Sequence, residues 1–223
     1  MKKEVKIILI IVIVVLVFVS SILIYRHVKR FDYGESLNDI VLTIEDTSIN
    51  LRELTYYIIE VEKTGQQYAL IYDEENPLSY WNMYMNGDES GYVTDLAKRA
   101  AVDFCIRDNI YYKEAVAAGF ELTEEELSDI RYDAQNYYEL MTNRQREVSC
   151  LLPDDLLLIM TKETLAHKYI AYLADNDESG TLDSIMLKYD VGGTYFEGLL
   201  NKYSITQNDE ILDEVRVGFI TVN

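Results

Sequence analysis

Between Tyr92 and Leu127, apolar side chains return every three or four residues, and this stretch limits what the chain can become more than any other. Val93, Leu96, Ala97, Ala100, Ala101, Phe104, Cys105, Tyr111, Tyr112, Ala115 and Ala118 fall on one side of a helix, which must be buried against other elements. Gly119 tolerates the left-handed backbone on which such a helix ends. Thr123, with Glu126 three positions later, reads as a capping box that starts a second helix. The stretch is helix, break, helix. Neither helix offers a nucleophile, a general base or a metal cluster, so the expectation is a helical binding scaffold and not an enzyme, with no cofactor.

The N-terminus constrains the chain in another way. Ile7 to Tyr25 carries no charge and is dominated by Ile, Val and Leu. As a helix it covers roughly 28 Å, close to the thickness of a bilayer's hydrocarbon core. The apolar run continues through Ile22, Leu23, Ile24 and Tyr25 beyond Ser20 and Ser21, where a cleaved signal peptide would end. Residues 7–25 are therefore expected to be a transmembrane signal anchor, with 1–6 a cytoplasmic tail and 26–38 a connector. Lys2, Lys3 and Lys6 on one flank face Arg26, Lys29 and Arg30 on the other, so charge alone does not choose the orientation. The short tail and the long acidic remainder place residues 31 onward outside the cytoplasm. An inward-facing arrangement is the alternative.

Charge narrows the partners. The net charge is -19, and because the first 30 residues are net basic, the rest is more acidic still. Nucleic acid and anionic lipid would be repelled by such a domain. Of the two cysteines, Cys105 lies on the apolar helix face and is expected as a buried thiol, a bridge to Cys150 being the alternative.

Along the chain, Val41, Leu42 and Ile44 suggest a short strand, with a turn over Glu45–Ser48 and a return at Ile49. Asn50 reads as the N-cap of a helix bearing Leu54, Tyr57, Ile58 and Val61, which Gly65 weakens and which does not pass Glu75. After the central pair, a helix from Thr123 to about Thr142 runs into Arg144 and Arg146. Pro153, Asp154 and Asp155 start another, suiting the first turn by fixed φ and by dipole. A short helix is expected around Tyr195–Tyr203, and Val215–Val222 alternates like an edge strand. The fold class is thus mainly α, with two short pairing strands near residues 41–49 and 215–222. Residues 39–223 form one domain, of which 181–223 is the closing segment.

This order, with the segment Ala97–Ile130 as its most specific part, resembles the N-terminal chaperone domain of SurA and of PrsA-type foldases. That family has a helix ending in a small residue and Gly, then a hydrophobic residue, a polar pair and an acidic helix start. Ala118, Gly119, Phe120, Glu121, Leu122, Thr123, Glu124, Glu125 and Glu126 stand in that pattern here. The opening strand, turn and helix are similar as well, with Asp46 and Thr47 where the family usually has Asn and Gly. The segment from Leu151 to Leu173 is similar to its last chaperone helix. The resemblance covers roughly residues 39–175 and implies a domain that binds unfolded or exported polypeptides. Parvulin prolyl isomerase domains common in that family have no room between Asp175 and Val215, and the interval holds no histidine, so isomerase activity is not implied.

Nineteen tyrosines exceed the usual share. Tyr68, Tyr72, Tyr80, Trp81 and Tyr84, beside Pro77 and a polar loop, are the candidates for an exposed client-binding surface, since aromatic rings give large contact area at low entropy cost. Tyr56, Tyr57, Tyr111, Tyr112, Tyr137 and Tyr138 are expected half-buried between helices. The acidic groups Asp88–Glu89, Glu124–Glu126, Asp154–Asp155 and Asp209–Glu210 lack calcium-loop spacing and read as solvated structure. His167, one of two histidines, is read as a surface or satisfied core residue without a neighbouring acid at ligand spacing, so no metal site is expected. The alternative to a chaperone is a non-catalytic subunit of a membrane complex docking one folded partner.

Overall fold

The computed structural model describes residues 33–87 and 90–221. Among them no helix is long and apolar enough to cross a membrane. The expected anchor at 7–25, the tail at 1–6 and most of the connector lie outside the described residues.

A short turn of helix, α1 (Tyr33–Ser36), leads into β1 (Ile40–Ile44) and β2 (Thr47–Asn50), an antiparallel hairpin. Val41, Leu42, Ile44 and Ile49 are fully buried, and a register shift between Ile40 and Leu42 marks a bulge. Asn50 then caps α2 (Leu51–Tyr72), its side chain accepting from the Glu53 N–H at 3.0 Å. Gly65 does not break this helix: a Cβ there would strike the Trp81 ring, and only glycine lets the two approach. Asp73 ends the helix by accepting the N–H groups of Glu75 and Asn76, and Pro77 opens α3 (Leu78–Trp81). Two residues on each side of a polar tip form β3 (Tyr84–Met85) and β4 (Gly91–Tyr92), an antiparallel pair.

The central helix is α4 (Val93–Ala117), packed against α2 and against α7 (Pro153–Asp175). Between them its middle is buried on more than one side, including Val102, Ile106 and Ile110 and the polar Asp108 and Asn109. Gly119 stands at φ +78°, where the helix was expected to stop. α5 (Glu124–Leu140) follows with the expected capping box: Thr123 Oγ1 accepts from Glu126 N at 3.2 Å, and Glu126 accepts from Thr123 N at 2.7 Å. It packs on α7. α5 thus fills the helix expected from Thr123 to about Thr142, and a second box, Thr142 with Gln145, starts a further helix, α6 (Asn143–Ser149), that carries Arg144 and Arg146. Arg146 and Arg144 are not a free basic patch; they donate to the carbonyls of Tyr138 and Phe219. Cys105 is buried and Cys150 exposed, both as free thiols.

The closing segment departs most from expectation. It contains α8 (Leu182–Tyr189), which has no counterpart in the sequence reading, then α9 (Thr194–Leu200), β5 (Ile205–Gln207) and α10 (Asp209–Leu212). The buried Tyr111 hydroxyl donates to the Tyr189 carbonyl at 2.8 Å, and its ring stacks on Phe196, which fastens α8 and α9 to the helical body. The partner of β1 is β5, antiparallel with Leu42 opposite Gln207 and Ile44 opposite Ile205, giving the sheet order β2-β1-β5. The strand expected at 215–222 is absent from the described residues 215–221. Val215, Val217 and Ile220 are buried, but Gly218 at φ +99° turns the backbone off an extended path. The N–H groups of Gly218, Phe219, Ile220 and Thr221 all point at the carboxylate of Glu62, itself fully buried on α2. An anion thus replaces the neighbouring strand that those groups would otherwise require.

Candidate functional site

Of the five aromatic residues expected to form a surface, three are exposed: Tyr68, Tyr72 and Tyr84, each more than half or half accessible. Tyr80 is half-buried, with its ring 6.0 Å from that of Tyr72. Trp81 does not belong to the surface. It is 1% exposed, held between Gly65 of α2 and Gly218 of the C-terminal strap, where it is a core anchor. Other apolar residues join the exposed group. Leu70, Ile71 and Leu78 flank it, Ile71 being 84% exposed, and Met85 and Tyr92 extend it along the hairpin, where the rings of Tyr84 and Tyr92 meet edge to face. The cause is local: the last turns of α2, apart from the buried Ala69, carry apolar side chains that no element among the described residues covers.

A second constellation lies among α2, α4 and α7. Tyr56, Tyr57, Glu60, Phe104, Arg107, Asp108 and Glu163 line a pocket of about 150 Å³. Helix α4 delivers Phe104, Arg107 and Asp108 to it, α7 delivers Glu163, and α2 delivers the tyrosines and Glu60; His167, one turn after Glu163, lies beside Asp108. Arg107 Nε donates to Asp108 Oδ1 at 2.8 Å, and its Nη1 reaches Asp190 Oδ1 at 2.6 Å. Its Nη2 lies 3.3 Å from His167 Nε2, which is 3.5 Å from Asp108 Oδ1. The Tyr56 hydroxyl donates to Glu163 Oε2 at 2.8 Å. Beside the pocket, Lys162 pairs with Glu53 at 2.8 Å and Asn109 donates to the same carboxylate, binding the three helices together.

Electrostatics follow from this geometry. Burial pushes the Glu163 carboxyl above the ordinary carboxylate range, against the Tyr56 hydrogen bond and with the Asp108 charge. The hydrogen bond to Asp108 raises His167 above its usual value despite partial burial. Burial opposes the charge on Arg107, but Asp108 and Asp190 more than offset it, and the guanidinium stays charged. Two buried polar atoms here have no hydrogen-bond partner: Asp108 Oδ2 and the Tyr57 hydroxyl. Asp108, Glu163 and His167 each present a ligating atom, all within 4.8 Å of one another.

The sequence reading missed this cluster. His167 does have an acid at ligand spacing, Glu163 on the same helix face at i−4, and that signal was available. Asp108 was not marked, because an acid in the central helix reads as part of a solvated face.

The fold places the protein in a class, mainly helical with a small antiparallel sheet. Comparison with protein-family models, curated proteins and solved structures returns no match.

Proposed function

We propose that this protein is a chaperone-like binder of unfolded or exported polypeptides, held at a membrane by the apolar run Ile7–Tyr25 with its helical domain outside the cytoplasm. The observation that carries the reading is the exposed group Tyr68, Leu70, Ile71, Tyr72, Leu78, Tyr84, Met85 and Tyr92. Exposed apolar side chains near the end of α2 and along the β3–β4 hairpin, on a protein of strongly acidic balance, suit weak, sequence-tolerant capture of chains that still expose their own hydrophobic residues. The acidic remainder keeps such complexes dispersed. The resemblance of residues 39–175 to SurA-type domains supports the same reading. The mechanism is holding, without nucleotide hydrolysis or proline isomerisation.

The test is suppression of aggregation of a chemically unfolded substrate by the full chain in nonionic detergent, compared with the double variant I71S/Y72S. Suppression by the wild type that falls severalfold in the variant, at unchanged stability, is the expected result. No suppression at tenfold molar excess refutes the proposal. Crosslinking in cells separates this function from docking of one folded partner: a holder captures many chains, a subunit one at fixed stoichiometry.

A further inference from the structure

The pocket between α4 and α7 has properties that the surface function does not use. We propose that Asp108, Glu163 and His167 form a binding site for one divalent transition-metal ion of the zinc type. Glu163 and His167 are one helical turn apart and so project from one face of α7, and Asp108 meets them from α4. Two carboxylates and one imidazole, with space beside them, are a donor set for a borderline cation that keeps a water.

Three further observations point to a ligand. Asp108 Oδ2 is unpartnered on a side chain only 1% exposed, and the Tyr57 hydroxyl, also unpartnered, lines the same pocket. A buried carboxylate oxygen without a donor is costly, and a cation or its bound water removes that cost. Carboxylates also outnumber cations here: Arg107 pairs with both Asp108 and Asp190, His167 lies 3.5 Å from Asp108, and Glu163 accepts only from the neutral Tyr56 hydroxyl, whereas Glu60 is matched by Lys63 and Glu53 by Lys162. Finally, the ligands are already oriented. Tyr56 holds Glu163 by one oxygen, and Arg107 holds Asp108 by Oδ1 while Asp190 keeps the guanidinium in place, so Oδ2 is left without a donor. Arg107 retains both anchors when Nη2 yields the imidazole. The imidazole binds an ion only in its neutral form, so binding weakens on acidification.

Calorimetric titration of the full chain in nonionic detergent with Zn²⁺ at neutral pH tests this, with D154N as an exposed-carboxylate control. The expected result is one ion per chain, weakened roughly tenfold or more by H167Q and by E163Q and unchanged by D154N. H167Q is the decisive variant because the imidazole is half exposed and its loss leaves the core packed; circular dichroism confirms the fold of each variant. Substituting Co²⁺ gives a second readout, a visible absorption band that H167Q abolishes. Absence of binding, or binding that H167Q leaves unchanged, overturns the proposal.

Discussion

Glu62 offers the sharpest test of how the fold is closed. Its carboxylate is fully buried and accepts four consecutive backbone N–H groups, those of Phe219 and Ile220 at 2.9 and 3.2 Å among them. In Glu62→Gln the shape is kept but one oxygen becomes an NH₂ group. Three bonds become neutral, each losing about half of the 1.5–3 kcal/mol typical for a charged acceptor. The amide nitrogen faces the N–H of Thr221, donor against donor, at a further cost of about 1–3 kcal/mol. The neutral amide is easier to bury than the carboxylate, which offsets part of the loss. A net destabilisation of roughly 2–4 kcal/mol follows, or about 4–16 °C in Tm for a domain of this size. The single tryptophan reports the event directly, because Trp81 packs against Gly218: release of the strap shifts its emission to the red. Urea unfolding followed by that emission gives the magnitude. A second arm ends the chain at Val217, removing the four donors; there Glu62→Gln should be neutral or stabilising, since only the cost of burying the charge remains. If the substitution shifts stability by less than about 0.5 kcal/mol, or costs the same in the shortened chain, the carboxylate does not hold the strap.

Three further outcomes are expected. Gly65→Ala should destabilise by about 1–2 kcal/mol although helix propensity alone favours alanine by about 1 kcal/mol, because the added Cβ strikes the Trp81 ring; a stabilised variant in thermal unfolding contradicts the packing. In metal-free buffer, stability should fall as pH rises from about 6.5 through the raised pKa of folded His167, the charged imidazole and Asp108 contributing fully only below the unfolded value. H167Q removes that slope in urea midpoints measured across the range, while the raised Glu163 acts in the same direction from about pH 4.5 upward and remains. Thr123→Ala and Thr142→Ala should each cost about 1 kcal/mol in urea unfolding, and together about the sum, since each removes one side-chain acceptor from a different helix start.

The contrast between α4 and the C-terminal strap shows where sequence reading works. Gly119, the Thr123 capping box, the Asn50 cap and the Pro153 start are decided by atoms within a few residues, so spacing and residue type locate them, and the structure places them where expected. Helix α8 was missed although Thr181 caps it and five of its eight residues are apolar, because two turns are too short for the period to stand out. For the candidate sites, the exposure of Tyr68, Tyr72 and Tyr84 was legible from their position beside a helix end and a polar loop. The burial of Trp81 was not, since it depends on glycines at 65 and 218 converging on one ring.

By itself the sequence determined the helical class, most helix boundaries, the first hairpin and the apolar surface beyond α2, all consequences of periodicity and local hydrogen bonding. Only the tertiary structure decided that β5 and not the chain end pairs with β1, that the alternating tail answers to a buried glutamate, and that Asp108 meets Glu163 and His167. Each of those contacts joins residues far apart in the chain, and which distant groups meet is set by how the helices pack, a property that no local pattern carries.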